Sequence, residues 1–334
     1  MRCLVTGTAG FVGYHLARRL LELGHQVTGI DGITAYYAPT LKRDRHAELA
    51  RFGSFQPHLC MLEEAGRLDA IYEQAAPDLV FHLAAQAGVR YSLENPRAYI
   101  ESNVVGSFNL VELCRRSRPR HLLIASTSSV YGDSSDFPLS ETAPANHPLT
   151  LYAASKKAVE AIAHSYAHLW DIPTTLFRFF TVYGPWGRPD MAYFRFVERI
   201  LAGHPIDLYN HGRMERDFTY IDDLVEAIVR LSDVPPVRGG RTTAATDSSS
   251  PTAPYRIVNI GGRQPVKLLD FVEEIERAIG KKAIRNYMDM QPGDVRRTEA
   301  STDLIEALTG YRPTTPLSVG IAAFVRWYRD YYRV

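Results

Sequence analysis

The segment TGTAGFVG, residues 6–13, places Gly7, Gly10 and Gly13 between an apolar strand pattern and a helical pattern. Glycine in such a turn permits a positive φ and lets backbone amides approach a pyrophosphate, which the positive end of the following helix stabilises. Phe11 and Val12 complete the turn and belong to the same predicted binding set. The order of strand, glycine turn and helix therefore predicts a dinucleotide-binding unit at the start of the chain.

Asp31 ends the second predicted strand, close to the position where this type of unit carries an acidic residue. A carboxylate there accepts hydrogen bonds from both ribose hydroxyls of NAD and repels the 2′-phosphate of NADP. No Lys or Arg lies between Asp31 and Lys42 to reverse that preference. We therefore expect NAD as the cofactor.

Strand and helix patterns alternate along the first half of the chain. Apolar strands appear in RCLVTG, QVTGID, LVFHLAA and HLLIAST, and helices are predicted from about Pro96 to Arg116 and from Tyr152 to Trp170. Such alternation is typical of a parallel sheet covered by helices on both faces. The predicted fold class is α/β, with a Rossmann-type doubly wound parallel sheet and a smaller mixed α/β C-terminal substrate domain.

After Gly184 the regular alternation of strand and helix patterns ends, which indicates a second, C-terminal region. We place the NAD-binding domain at residues 1–180, with segments after about residue 214 returning to it, and the substrate domain mainly at residues 181–334. The segment 235–254 is rich in Pro, Ser, Thr and Gly and has almost no large apolar residue. It is predicted to be a solvated, mobile loop, because it buries too little surface to offset its ordering entropy.

Composition excludes several classes of protein. The formal net charge of +1 gives no broad basic surface for nucleic acid. No apolar run approaches the roughly 20 residues of a membrane span, and no signal-peptide pattern precedes the first strand, so we expect a cytoplasmic protein. Cys3, Cys60 and Cys114 are too few and too scattered for a disulfide framework or a metal cage.

Tyr152 and Lys156, in YAASK, lie four residues apart at the start of a predicted helix. This spacing puts both side chains on one helical face, with Cβ atoms about 5–6 Å apart. A phenol of ordinary pKa about 10 is a poor base, but a nearby ammonium and the positive nicotinamide ring favour the phenolate. The pair follows a strand that ends in STSS, at the carboxyl edge where parallel sheets bind ligands. We predict an acid–base pair.

The segments GTAGFVG, HLAAQAGVRYS, SNVVGS, STSSVYG, YAASK and RDFTYIDD, together with Asp31, resemble the extended short-chain dehydrogenase/reductase superfamily, in its branch of nucleotide-sugar epimerases. The resemblance runs from Met1 to about Asp303. Within the branch the chain is most similar to UDP-glucuronate 4-epimerases, which carry HLAAQAGVRYS and QPGDV in nearly this form. The resemblance implies tightly held NAD, a UDP-sugar substrate and a homodimer packed through the helices that begin near Pro96 and Tyr152.

The resemblance also assigns roles to individual residues. A hydroxyl, a base and the partner of the base form the catalytic set: Thr127, Tyr152 and Lys156. Beyond the glycine turn and Asp31, the cofactor set is Leu62, Leu83, Ala84, Ala85, Asn103, Tyr152 and Lys156. Residues near the sugar, the diphosphate and the uridine form the substrate set: Gln86, Arg90, Thr127, Ser128, Ser129, Thr181, Arg188, Tyr209, Arg213, Arg216 and Asp294. Met61 stands where the family usually has an Asp that holds the adenine amino group, which indicates an apolar and weaker adenine contact.

Ser128 and Ser129 occupy two positions that distinguish the related enzymes. Sugar-nucleotide 4,6-dehydratases carry Asp-Glu there and UDP-glucuronate decarboxylases carry Ser-Glu. Neutral hydroxyls lack the acid/base needed to eliminate water and present hydrogen-bond donors to an anionic C6 carboxylate. Thr181 adds a neutral donor and Arg188 a charge-assisted one. The alternative is that the two serines only cap the end of the strand.

The resulting hypothesis is reversible C4 epimerisation of UDP-glucuronic acid to UDP-galacturonic acid through a transient 4-keto sugar. Two other reactions remain open from the sequence: 4-epimerisation of UDP-glucose or UDP-galactose, which uses the same catalytic set, and decarboxylation of UDP-glucuronate. A non-catalytic dinucleotide sensor is a further alternative. The presence of both Tyr152 and Lys156 disfavours it, because a sensor needs no base.

Overall fold

The computed structural model describes residues 1–291 and 293–334, so Pro292 of the QPGDV segment lies outside the described residues. The strands are β1 (Arg2–Thr6), β2 (Gln26–Asp31), β3 (Phe55–Leu59), β4 (Leu79–His82), β5 (His121–Thr127), β6 (Thr174–Phe179), β7 (Thr181–Tyr183), β8 (Ile206–Leu208), β9 (Glu215–Tyr220), β10 (Tyr255–Ile260), β11 (Pro265–Lys267) and β12 (Arg285–Tyr287). The helices are α1 (Phe11–Glu22), α2 (Pro39–Leu49), α3 (Ala65–Ala75), α4 (Tyr91–Glu94), α5 (Pro96–Tyr99), α6 (Gly106–Arg116), α7 (Leu151–Trp170), α8 (Ala192–Ala202), α9 (Ile221–Ser232), α10 (Leu268–Ile279), α11 (Asp303–Thr309) and α12 (Leu317–Tyr332). A π-helical stretch joins α5 to α6 (Ile100–Val105), and two 3₁₀ turns follow β5 (Ser128–Tyr131) and β8 (Tyr209–Gly212).

Seven strands form the main sheet in the order β10-β6-β5-β4-β1-β2-β3, and every neighbouring pair is parallel. Thr6 at the end of β1 pairs with Ile30 on one side and His82 on the other. The strand order reverses between β1 and β4, and sheets of this type bind ligands at the carboxyl edge beside such a reversal. The predicted fold class is confirmed.

Apolar side chains cover both faces of the main sheet. Val5 of β1 packs into a cluster with α1, α9 and α11, and its neighbour Leu4 packs into a second cluster with α3, α6 and α7. Successive strand residues point to opposite faces, so a strand covered on both sides must be apolar at nearly every position. This is the physical reason why the strands read as continuous apolar runs.

A third apolar cluster lies in the C-terminal part of the chain. Phe194 of α8 packs against Phe324 of α12 with ring centroids 5.6 Å apart, and Phe271 of α10 belongs to the same cluster. Two small sheets, β11-β9-β7 and β12-β8, accompany these helices. Since β10 pairs with β6 of the main sheet, the later chain contributes to both regions. The domain boundary near residue 180 stays a prediction.

The segment 235–254 is attached to neighbouring elements at several points. Arg238 donates to the carbonyl oxygen of His168 on α7 over 3.0 Å. Ser248 Oγ accepts from the backbone amide of Ile257 on β10, also over 3.0 Å. These bonds join the segment to a helix and a strand of the main sheet, while its mobility stays a prediction.

Within residues 1–291 and 293–334, no helix combines the length and the apolar content needed to cross a membrane. Cys3, Cys60 and Cys114 are all buried, and none of the three forms a disulfide bond. Burial raises the pKa of the Cys3 and Cys114 thiols to about 12, so both are inert thiols at neutral pH.

Candidate active site

A cavity of about 1180 Å³ opens at the carboxyl edge of the main sheet and is lined by residues of both the sheet and the C-terminal region. The predicted site residues on its wall are Gly7, Gly10, Phe11, Val12, Gly13, Asp31, Leu62, Leu83, Ala84, Ala85, Gln86, Arg90, Thr127, Ser128, Ser129, Tyr152, Lys156, Thr181, Arg188, Tyr209, Arg216 and Asp294. Asn103 and Arg213 do not contribute to the part of the wall that the structure describes. The fold thus brings together residues that are up to 287 positions apart, from Gly7 to Asp294.

The glycine turn is closed so tightly that side chains are excluded. Gly7 has a φ of +82°, and a Cβ atom on it would lie 2.8 Å from the backbone nitrogen of Ala84. A Cβ atom on Gly13 would lie 2.0 Å from the carbonyl oxygen of Gly7. Gly10 is the N-cap of α1, so the helix starts directly behind the turn. Free amides at a helix start beside a glycine cradle fit the pyrophosphate of a dinucleotide.

Asp31 is held in a fixed orientation at the end of β2. Its Oδ2 atom accepts from the backbone amide of Ala9 over 3.0 Å, and its Oδ1 atom accepts from that of Ile33 over 2.7 Å. A carboxylate has about four lone-pair sites, so two amides leave capacity for ribose hydroxyls. The geometry therefore fits the predicted role beside a ribose.

Thr6 connects the glycine turn to the cavity wall at Leu83 and Ala84. The sequence analysis did not select this residue. Its hydroxyl oxygen accepts from the backbone amides of Leu83 and Ala84 over 3.1 Å each, and it bonds His82 Nδ1 over 2.8 Å. Burial lowers the pKa of His82 to about 3, so the ring is neutral. No local pattern marks Thr6, because its partners lie more than 75 residues away in the chain.

Asn103 lies in the protein interior and contacts residues that support the cavity wall. It is fully buried, its Oδ1 atom accepts from the Gln86 amide over 2.7 Å, and its Nδ2 atom donates to Ser155 Oγ over 2.9 Å. It thereby fixes Gln86 and the first turns of α7. This arrangement fits the expectation that Asn103 helps to position the cofactor, which stays a prediction.

The four consecutive hydroxyls after the β5 apolar run divide into two groups. Ser126 points into the core and donates to Glu160 over 2.7 Å. Thr127, Ser128 and Ser129 line the cavity. Thr127 Oγ1 also accepts from the Ser129 amide over 3.2 Å, so the capping interaction weighed as an alternative is present. It is made by Thr127, whose hydroxyl also donates to Ser129 Oγ over 3.2 Å, so the Ser129 hydroxyl accepts from Thr127 and keeps its own hydrogen for a ligand.

Lys156 is buried at the wall of the cavity, and Tyr152 is partly buried there. Burial raises the pKa of Tyr152, while a hydrogen bond with Thr127 and the charge of Arg188 lower it. Burial lowers the pKa of Lys156 to about 8, against the opposing charge of Glu160. The sequence-based expectation was that Lys156 lowers the pKa of Tyr152. In the structure, Thr127 and Arg188 lower the pKa of Tyr152, and the effect of Lys156 on it stays a prediction.

Arg188 is paired with a carboxylate that the sequence analysis did not select. Its Nε atom donates to Asp190 Oδ1 over 3.0 Å, and Tyr36 donates to Asp190 Oδ2 over 3.0 Å. All three side chains line the cavity. Because Asp190 balances its charge, Arg188 offers oriented donors to a ligand with little net positive charge. Tyr36 lies 154 residues before Asp190, which explains why no sequence signal linked them.

The predicted uridine and diphosphate residues form one group on the C-terminal side. Arg90 pairs with Asp294 over 3.1 Å, and its guanidinium lies 4.6 Å from the centre of the Tyr209 ring. Arg216 is held by hydrogen bonds to three backbone carbonyl groups, and burial lowers its pKa. Arg213 is exposed outside this group, so its predicted substrate contact has no support in the geometry.

Residues 3–241 match the NAD dependent epimerase/dehydratase family, and the chain belongs to that family. A relative named probable UDP-glucuronate 4-epimerase, from Rhizobium meliloti (strain 1021), is 58% identical over 335 residues that span 100% of this chain and 98% of the relative. UDP-glucuronate 4-epimerase 1 of Arabidopsis thaliana is 44% identical over 98% of this chain and 77% of its own length. The solved structure of UDP-glucuronic acid 4-epimerase from Bacillus cereus, in complex with UDP-glucuronic acid and NAD, is 32% identical with a TM-score of 0.89 and covers 99% of this chain and 100% of that one. The family predicted from the motifs is confirmed.

Proposed function

We propose that the chain catalyses reversible C4 epimerisation of UDP-glucuronic acid to UDP-galacturonic acid with NAD as a tightly held cofactor. The observation that carries the proposal is one cavity in which Thr127 and Tyr152 lie with the neutral pair Ser128 and Ser129 and with a glycine turn that fits a dinucleotide. The Bacillus cereus enzyme, which shares the fold over nearly its whole length, was solved with UDP-glucuronic acid and NAD. That likeness supports the same ligands here.

The acid–base step belongs to Tyr152. As phenolate it takes the proton of the C4 hydroxyl, directly or through Thr127, and gives it back when the ketone is reduced. NAD, when bound, supplies the acceptor and the donor of the C4 hydride. The 4-keto sugar presents its second face before reduction, which inverts C4. Contacts from Arg216, Tyr209 and Asp294 to the UDP portion would keep the ketone in the site, so binding energy retains a reactive species.

The C6 carboxylate sets a second requirement for the site, which must prevent loss of carbon dioxide from the intermediate. Oxidation at C4 of a uronic acid makes a β-keto acid, which loses carbon dioxide when the breaking bond aligns with the carbonyl π system. Ser128, Ser129 and Thr181 line the cavity as neutral donors that can hold the carboxylate out of this alignment. The paired Arg188 adds oriented N–H groups. This arrangement favours epimerisation over decarboxylation.

Product analysis tests the function directly. Purified protein incubated with UDP-glucuronic acid should yield UDP-galacturonic acid, and the same mixture should form from either side. Chromatographic separation of the sugar nucleotides distinguishes the alternatives. Accumulation of a UDP-pentose with carbon dioxide would identify a decarboxylase, and turnover of UDP-glucose alone would refute the carboxylate argument.

Ser129→Glu is expected to raise the KM for UDP-glucuronic acid by tenfold or more. The new carboxylate would face the C6 carboxylate across the cavity, and like charges in such a contact cost several kcal/mol, with about 1.4 kcal/mol for each factor of ten. Steady-state kinetics measure the effect. Ser54→Glu, at an exposed site before β3, adds the same charge away from the cavity and should leave KM within about twofold of wild type. An unchanged KM for the Ser129 variant would refute direct carboxylate contact.

We further propose a homodimer built on the face formed by α6, the π-helical stretch before it, and α7. Ile100, Val105 and Phe108 on this face are between 41% and 44% exposed, and Leu169 and Trp170 at the end of α7 are 64% and 39% exposed. A cluster of exposed apolar side chains on neighbouring helices is typical of a protein–protein contact. We also propose a cytoplasmic location, supported by the three buried thiols.

Phe108→Asp is expected to halve the particle mass in solution, because a charge in an apolar contact between two chains lacks a partner. Light scattering coupled to size-exclusion chromatography measures the mass. Leu23→Asp serves as the control, since Leu23 is also 44% exposed but lies at the C-terminal end of α1. A wild-type protein that elutes as a monomer would contradict the dimer and leave the proposed reaction unaffected.

A further inference from the structure

The segment that follows β3 carries a carboxylate with a buried oxygen atom, which the proposed reaction does not use. Glu63 lies on the cavity wall, between Leu62 and the start of α3. Its Oε2 atom is buried and has no hydrogen-bond partner among residues 1–291 and 293–334. A buried carboxylate oxygen without a donor is costly, so a site that keeps one is suited to a donor from outside the chain.

Two cations, one close to Glu63 in the chain and one on the cavity wall, have other partners. Arg67, four residues further along, pairs with Glu64 over 3.8 Å. Lys42, which also lines the cavity, donates to the carbonyl oxygen of Thr34 over 2.8 Å. The donor that fits Glu63 is therefore one that a ligand brings into the cavity.

The surroundings of Glu63 indicate which part of the ligand lies there. The backbone amide of Cys60 donates to the carbonyl oxygen of Asp31 over 3.1 Å, which fastens this segment beside the ribose position. Met61 packs on Gly32 so closely that a Cβ atom on Gly32 would lie 2.0 Å from the Met61 sulfur. The result is an apolar wall suited to a flat base. A thioether is a weak acceptor, so Glu63 is the strong acceptor of this segment on the wall.

We infer that the Glu63 carboxylate accepts a hydrogen bond from the exocyclic amino group of adenine in NAD. The inference rests on the binding of NAD stated under the proposed function. It makes Glu63 a positioning residue for the cofactor, without a part in proton transfer. It also predicts discrimination against a purine with a carbonyl group at that position, because two acceptors would then face each other.

Binding measurements with two dinucleotides test the inference. Isothermal titration calorimetry, on the full chain freed of bound nucleotide, gives the Kd for NAD and for nicotinamide hypoxanthine dinucleotide, in which a carbonyl replaces the amino group. The wild type should prefer NAD by about tenfold or more, the value of one hydrogen bond to a charged group. Glu63→Ala should weaken NAD binding by about tenfold and leave the hypoxanthine analogue unchanged or bound more tightly. Glu73→Ala, at an exposed site on α3, should change neither Kd.

The outcomes separate this inference from the proposed function. A Glu63→Ala variant that weakens both dinucleotides equally would overturn the inference, because only packing would then be lost. A wild type that binds both equally would overturn it without any variant. A wild type that does not bind NAD would refute the proposed function itself, whereas normal NAD binding without discrimination would refute the role of Glu63 alone.

Discussion

Tyr152→Phe is expected to lower the rate of epimerisation by at least about 10³-fold while NAD remains bound, the scale of a lost general acid–base group. The variant removes one oxygen atom and keeps the ring, which packs edge-on against Tyr99 with centroids 6.1 Å apart. Burial raises the pKa of the phenol, while Thr127 and the charge of Arg188 lower it and so favour the ionised form. Phenylalanine offers no proton acceptor for the C4 hydroxyl.

Two readouts are needed to assign this loss to chemistry. Product chromatography measures turnover, and the nucleotide released on denaturation measures NAD retention. Tyr166→Phe is the matched control, because it removes a phenol from the same helix that bonds Glu112 outside the cavity. It should keep the wild-type rate within about twofold. A Tyr152 variant that keeps a tenth of the wild-type rate would refute the assigned role, and one that loses its NAD would show a binding defect instead.

Gly13→Ala is expected to weaken NAD binding strongly and to lower the melting temperature. Gly13 lies within α1, where helix propensity alone would favour alanine by about 1 kcal/mol. The new Cβ atom, however, would lie 2.0 Å from the carbonyl oxygen of Gly7 and 2.6 Å from its carbonyl carbon. The turn and the helix would have to separate, and the backbone amides that face the pyrophosphate would lose their arrangement. We expect the affinity for NAD to fall by more than about 100-fold.

Gly66→Ala provides the control for this substitution. Gly66 lies in the first turn of α3, and a Cβ atom on it meets nothing within 4 Å. The same exchange should therefore leave NAD binding unchanged and stabilise the chain by at most about 1 kcal/mol. Calorimetric titration and thermal unfolding measure both effects. If the Gly13 variant bound NAD as the wild type does, the close packing of the turn would have no functional meaning.

Several parts of the site are recognisable in the sequence because each depends on a local arrangement. The glycine turn is a contiguous segment, and Tyr152 and Lys156 share a helix. Asp31 is predictable from the length of one strand–helix–strand unit. The strand ending in Thr127 and the helix starting at Leu151 reach the same edge because parallel strands all end on one side.

Other parts of the site are absent from any local pattern. Asp190 and Tyr36 determine what charge Arg188 presents, yet Tyr36 lies 154 residues from Asp190. Asn103 is recognisable as part of SNVVGS, but only its burial shows that it holds Gln86 and does not line the cavity. The expectation that Lys156 lowers the pKa of Tyr152 followed from helical spacing. In the folded chain burial raises that pKa, whereas Thr127 and Arg188 lower it.

The sequence by itself determined the parallel sheet, the glycine turn and the placement of Tyr152 and Lys156 on one helix. Hydrophobic periodicity, glycine conformation and helical spacing each depend on a few neighbouring residues, so they can be predicted from the sequence. The tertiary structure alone decided which of the four strand-end hydroxyls reach the cavity, which carboxylate neutralises Arg188, and that Glu63 keeps an unpaired oxygen on the described wall. The physical reason is that burial and electrostatic pairing depend on distances in space, and the fold sets these between residues far apart in the chain.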